Sequence, residues 1–240
     1  MKTTLLMLMI GLLASGASAN DIIVRKVQGE VSVRRGVEEV WTEVAVGDVL
    51  RPNDSMRTGR KSGAVLVAPV LDSEASVMKT ITLPSKVIID MSDLRMLSQE
   101  ELMLKLTMEK VRASSYEWKK NEMNIPNTTV VHGADRSSQS SLNEGELEVG
   151  VFQLNGTRVL YDNGFYSTCA LKAIQVLRRF PQLSDRFEHR LMVAEALEKS
   201  SLRSEAINEY VALSSLESIS PEQKDIVLAR IARLKNQTAQ

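Results

Sequence analysis

Few side chains in this 240-residue sequence have the types and spacing that catalysis or metal binding needs. It holds two histidines, His132 and His189, and a single cysteine, Cys169. Neither histidine has a second His or Cys at ligand spacing, so a metal centre built on them is not expected. Cys169 sits in an apolar, helix-like run and reads as a small buried residue rather than an activated thiol. The carboxylate pair Glu38-Glu39 falls in a turn and Glu100-Glu101 in a helix cap; acid–base work would need carboxylates converging in a cleft. Met96, Met103 and Met108 could suggest a copper or adaptable peptide face, but with no His or Cys beside them they read as core packing. The pairs Arg34-Arg35 and Arg178-Arg179 read as solvated charges at a strand end and a helix end. Glycine-rich phosphate loops, zinc-hydrolase motifs and nucleophile elbows are absent from the sequence. No catalytic, cofactor or metal residue is therefore assigned, and the chain is expected to be non-enzymatic.

The elements that would position any site begin with the stretch from Val27 to Val67. Val27, Gly29, Val31 and Val33 alternate with Gln28, Glu30, Ser32 and Arg34, a period of two that predicts one half-buried strand. Arg35-Gly36 ends it, and Val40 to Val44 restarts an extended run, which predicts a hairpin. Gly47-Asp48, Pro52-Asn53-Asp54 and Thr58-Gly59 punctuate the next stretch, and Ala64 to Val67 reads as a buried strand. Short strands at this spacing predict an antiparallel sandwich or roll.

The ordered set Gly29, Val31, Val33, Arg35-Gly36, Trp41, Val46-Gly47-Asp48, Leu50, Asp54, Thr58-Gly59, Ser62 and Ala64 resembles the FecR-like domain family. Leu83-Pro84-Ser85 and Val87-Ile88-Ile89 continue the likeness, and Asp72-Ser73-Glu74 implies a longer or different turn than the family's usual Asp-Gly. The resemblance implies an exported β domain working in a cell envelope and contributes no site residue. In that family's iron regulators a cytoplasmic segment and a membrane span precede the domain; here the expectation is a leader alone, and iron signalling is not carried over.

Residues 1–19 read as a signal peptide: Lys2 opens it, an apolar run spans Leu5 to Leu13, and Ala17-Ser18-Ala19 fits the cleavage pattern. The apolar run is too short to span a bilayer. Export, to the periplasm in a double-membraned host, is the expected destination. The remaining composition is that of a globular chain: 43% hydrophobic, with 30 basic and 30 acidic residues in the whole sequence. That balance gives no drive towards nucleic acid or an anionic membrane, and a lone cysteine leaves stability to core burial.

Beyond the strands, Ser98-Gln99-Glu100-Glu101 predicts a capped helix start, with Leu97 and Leu102 as a staple. Leu104, Met108 and Val111, beside Leu102 and Leu106, predict an apolar stripe that packs on the sheet. Asn127 to Val131 reads as a further strand. Residues 133–146 have linker composition, and Glu146 to Leu160, with the Asn155-Gly156 pair, reads as a hairpin. The rest is helical. Ser167 and Ser184 are expected to open helices, Ala206, Ile207, Tyr210 and Leu213 stripe a third, and Ser220-Pro221-Glu222-Gln223 starts a fourth lined by Val227, Ile231 and Leu234. This succession, with Phe180-Pro181 and Glu205 to Tyr210, resembles tetratricopeptide repeats, which implies a concave surface for protein or peptide contact.

The expected architecture is thus α+β: signal peptide 1–19, FecR-like β domain with a following helix 20–132, linker and possible hairpin 133–163, and a tetratricopeptide-like helical region 164–240. Its expected role is a binding or scaffold protein of the envelope, with another envelope protein or a cell-wall polymer as partner and no cofactor. Two alternatives stand beside it: a polysaccharide hydrolase whose carboxylates meet only in the fold, and a diverged FecR-type signalling protein that contacts an outer-membrane receptor.

Overall fold

A computed structural model describes residues 21–72, 75–122 and 144–236, with side chains of 71, 72, 75, 76 and 114–122 and 144 left aside. The expected leader and the expected strand at Asn127 to Val131, with His132, lie outside the described residues. The chain is mixed α+β, with strands in the N-terminal half and most helices in the C-terminal half. In order, the strands are β1 (Ile22–Gln28), β2 (Val31–Arg34), β3 (Trp41–Glu43), β4 (Val49–Leu50), β5 (Ser55–Thr58), β6 (Gly63–Asp72), β7 (Ala75–Leu83) and β8 (Ile88–Asp90). The helices are α1 (Gln99–Glu122), α2 (Glu144–Asp162), α3 (Tyr166–Arg179), α4 (Phe187–Lys199), α5 (Arg203–Ser214) and α6 (Pro221–Asn236). Two four-stranded antiparallel sheets run β4-β1-β6-β7 and β3-β2-β5-β8.

The alternation from Val27 to Val33 does not make one strand. It breaks at Gly29, whose φ of +70° is open to glycine and rare for other residues, and the chain passes there from the first sheet into the second. A Cβ on Gly29 would stand 2.6 Å from the Ser62 hydroxyl, which instead accepts the Glu30 amide at 2.9 Å. Thr58 closes the crossing from the other side: its buried hydroxyl donates to the Pro84 carbonyl at 2.7 Å and accepts from the Val87 amide at 3.0 Å. Asp54 does the same work for the turns, taking the Arg35 guanidinium and the amides of Gly36 and Arg51. The β2–β3 hairpin forms as expected, with Arg34 opposite Trp41. The β6–β7 pairing reaches Asp72 opposite Ala75.

The expected hairpin from Glu146 to Leu160 is corrected: this stretch lies inside α2. Asn155-Gly156 is a helix-interior packing pair. A Cβ on Gly156 would lie 2.1 Å from the Ile88 carbonyl oxygen, and the Asn155 amide donates to the Lys86 carbonyl at 2.7 Å. Gly150 likewise meets the Phe180 ring and Leu183. The two glycines let α2 press against β8 on one side and the Phe180–Leu183 turn on another, so the expected linker after residue 144 is instead a central packing helix.

α1 starts at the predicted cap, with the Glu101 amide donating to the Ser98 hydroxyl at 3.1 Å. Its apolar stripe is corrected, however. Leu102 and Leu106 are buried, whereas Leu104, Met108 and Val111 are exposed, and the helix packs on α3 rather than on the sheet. The buried contact line includes Glu109, whose carboxylate meets Gln175 and Arg178 of α3 and Arg112 of its own helix. Hydrophobic spacing alone could not reveal that a glutamate takes the inward position. Met96, Met103 and Met108 are exposed too, so their expected place in the core is also corrected.

Helices α2 to α6 pack each on the next. Ser220 and Gln223 form the reciprocal capping box that opens α6. Ser167 and Ser184 are not helix caps. The Ser167 hydroxyl accepts the Leu97 amide at 2.8 Å, and that of Ser184 donates to the Leu177 carbonyl at 3.2 Å. A polar seam binds the stack: Tyr161 of α2 donates to Glu195 of α4, the buried Tyr210 of α5 donates to Glu198, and Arg230 of α6 faces both glutamates. One continuous hydrophobic core runs from Ile22 to Leu234 through both halves. Among the described residues no helix is long and apolar enough to cross a membrane.

The glycine packing gives a direct test. In Gly156→Ala the new methyl group must push α2 off β8, an overpacking cost of about 1–3 kcal/mol that outweighs a helix-propensity gain of about 1 kcal/mol at most. Gly145 has open space around it, so Gly145→Ala is expected to melt at or slightly above the wild type. Thermal denaturation checks both; a Gly156→Ala protein as stable as the wild type would show that the close approach is not needed.

Candidate functional site

The strand register decides which side chains of the second sheet face outward. Arg34 pairs with Trp41 and with Ser55, Ser32 with Arg57, Arg57 with Ile88, and Ser55 with Asp90, so all of these share one face. Val31, Val33, Met56 and Ile89 occupy the other and enter the core. The outward face is therefore unusually polar and cationic. α2 and α3 stand over it and close a groove of about 620 Å³, with the sheet as floor, Glu148, Val149, Phe152 and Gln153 from α2, and Lys172, Gln175, Val176 and Arg179 from α3.

Trp41 anchors the floor. The guanidinium carbons of Arg57 and Arg34 lie 4.8 and 5.3 Å from its ring centroid. Each such contact contributes about 0.5–1 kcal/mol at a partly exposed site. Arg34 also donates to the Ser55 hydroxyl at 3.2 Å, while its Nε is buried without a partner among the described residues. Ser55 in turn donates to Asp90 at 2.6 Å.

Lys172 is the hinge of the groove's inner end. Its ammonium contacts Asp90 at 2.5 Å and Asp93 at 3.0 Å. Burial works against its charge, but the two carboxylates outweigh burial and hold the ammonium above its ordinary value. Asp90 is pulled below the usual carboxylate range: burial opposes this, and Lys172, the Ser55 hydroxyl and Arg34 together overcome it. Asp93 is pushed up, by its burial first and by the neighbouring Asp90. The groove's other carboxylate, Glu148, is paired with Arg60 at 3.3 Å. Arg34, Arg57 and Arg179, in contrast, have no ion-pair partner within 4.0 Å among the described residues. Arg179 lies against the Phe180 ring, 5.3 Å from its centroid.

The structure sends the two arginine pairs of the sequence in divergent directions. Arg34 joins the groove, while Arg35 turns away to Asp54 and the Val49 carbonyl. Arg178 meets Glu109 beneath α1, while Arg179 reaches the groove. Neither pair acts as a unit, because neighbours point to opposite faces of a strand and about 100° apart on a helix. Outward strand positions shared by Arg34, Trp41 and Arg57 were the available signal, and it needed the register to be seen.

The remaining chemistry-bearing residues stay apart from this site. Cys169 is buried in α3, and burial pushes its thiol up to about 12, so it is protonated and unreactive at neutral pH. His189 is held below its ordinary value by burial, with its Nδ1 3.4 Å from the Leu183 carbonyl. Among the described residues no three His, Cys, Asp or Glu side chains come together as a metal site. No protein-family model matches the sequence, and no curated protein is significantly similar to it.

The Lys172 cluster predicts a pH signature. Because its folded value is raised, the stability contributed by the charged ammonium is complete below the unfolded lysine value near ~10.4 and is lost as pH climbs through the higher folded value. Lys172→Met leaves Asp90 and Asp93 facing each other without their shared ammonium. At neutral pH this is expected to cost about 1–3 kcal/mol, less than a fully buried pair because the carboxylates keep some solvent. Protonation relieves the variant, so its deficit shrinks as pH falls below about 4. Urea titrations at neutral and acid pH check this; a deficit independent of pH would rule out the electrostatic account.

Proposed function

We propose that this chain is a non-enzymatic, exported envelope protein, in which a FecR-like β domain and a tetratricopeptide-like helical array together present a binding site for another envelope protein or a cell-wall polymer. The observation that carries this reading is the groove at the junction of the two halves. Its floor comes from the sheet and its walls from α2 and α3, so the surface exists only when both halves are in place.

The groove's charge state favours recognition over hydrolysis. General acid catalysis on a glycosidic bond needs a carboxyl group that keeps its proton near neutral pH, paired with a second carboxylate across the cleft. Of the carboxylates lining the groove, Asp90 is held ionised by Lys172 and Ser55, and Glu148 is engaged by Arg60. The free groups are guanidiniums, an amide and an aromatic ring, which orient a ligand rather than transform it. Export rests on the leader pattern of residues 1–19, and the envelope setting on the ordered motif residues. Of those, Gly29, Asp54, Thr58 and Ser62 hold the β crossings and turns together.

The test is site-specific photo-crosslinking in envelope extract of the producing cells. A photo-reactive residue replacing Gln153, on the groove wall, is expected to give a discrete adduct. The same residue replacing Ile226, exposed on α6, is expected to give none. Absence of any adduct at position 153, or equal labelling at both positions, would count against the groove as the binding element.

A further inference from the structure

We infer that the groove recognises a carboxylate-rich segment of a partner protein, an acidic extended peptide seated between the second sheet and helices α2 and α3. This rests on the binding reading above and names the chemistry of the partner.

The argument is one of charge and geometry. Lys172 is divided between Asp90 and Asp93, which leaves one negative charge that Arg34 helps to offset, and Glu148 is matched by Arg60. Three guanidiniums remain around one groove of about 620 Å³, a volume within the range of binding clefts. Like charges repel when brought together, and a fold that gathers Arg34, Arg57 and Arg179 around one excess carboxylate charge gains from an external anion. The guanidinium carbons of Arg34 and Arg57 lie 5.3 and 4.8 Å from the Trp41 ring centroid, a contact with the ring that does not use up their N–H donors as a salt bridge would. The buried Nε of Arg34 has no acceptor among the described residues, so part of this guanidinium's hydrogen-bonding capacity is unused within the fold.

Peptide is favoured over acidic glycan by what surrounds the guanidiniums. A sugar ring would stack on an aromatic face; the guanidiniums of Arg34 and Arg57 already lie at Trp41, which leaves Phe152 alone for that role. Val149, Phe152 and Val176 offer apolar wall to side-chain carbons, and Gln153 offers an amide suited to a peptide backbone. An acidic peptide uses both kinds of surface.

The experiment uses the whole mature chain with Trp118→Phe, which leaves Trp41 as the sole tryptophan. Its probe is a fluorescein-labelled peptide of alternating Glu and Val. Binding is expected by anisotropy, weakening as salt rises, together with a change in Trp41 emission as Arg34 and Arg57 turn towards the peptide. Arg57→Gln and Arg179→Gln are each expected to weaken binding by about tenfold or more, with melting temperature and circular dichroism as controls for folding. A peptide with Gln for Glu is expected not to bind. The inference is overturned by absence of binding, by equal affinity for the Gln peptide, by indifference to both arginine substitutions, or by preference for an oligogalacturonate over the peptide. A groove adduct from position 153 combined with any of these results would keep the binding reading and reject the acidic peptide.

Discussion

Where a side chain on Gly156 would begin, the carbonyl oxygen of Ile88 already stands. Much of the molecule depends on that approach. It brings the axis of α2 hard against β8, and α2 in turn supports α3, whose far side receives α1 and whose C-terminal half walls the groove. Hydrogen bonds fix the docking at several points: Asn155 to the Lys86 carbonyl, the Leu97 amide to Ser167, and Thr168 to the Arg95 carbonyl. The two halves are therefore not beads on a linker. They share one core, and the surface between them belongs to both.

Electrostatics follows the same junction. Buried or half-buried charges there sit beside opposite charges: Lys172 with Asp90 and Asp93, Glu109 with Arg178 and Arg112. Desolvation makes an unmatched charge costly, and these pairings answer that cost. The guanidiniums of Arg34, Arg57 and Arg179 meet at the groove between the second sheet and the helices. Aromatic rings steady them there in place of carboxylates. An arginine that stacks keeps its hydrogen-bonding edge available, which a salt bridge would consume.

Much of the fold was legible in the sequence because its signals were local. The β2–β3 hairpin, the Ser98 cap, the Ser220–Gln223 box and the buried stripe of Val227, Ile231 and Leu234 are all set by neighbours within a few residues. Several of the failures share a cause: a distant partner overrode a local preference. Gly156 looks like a turn residue until β8 arrives, and Glu109 looks solvated until Arg178 and Gln175 cover it. Ser167 looks like a cap until the Leu97 amide claims its hydroxyl. The groove belongs to this class. Its floor residues are separated by turns, its walls lie far along the chain, and no motif joins them. Only the strand register shows that Arg34, Trp41 and Arg57 share a face.

The order in which the chain is made sets a further condition. Asn155 and its acceptor Lys86 are 69 positions apart, so at about 5–20 residues per second roughly 3–14 s separate the synthesis of the two partners. Through that interval β8, the last strand of its sheet, has no α2 against it, and its bare backbone edge is the kind that recruits other strands. A nascent chain with this layout gains from being kept unfolded until its C-terminal helices exist. Once made, α2 packs on β8 as the chain folds.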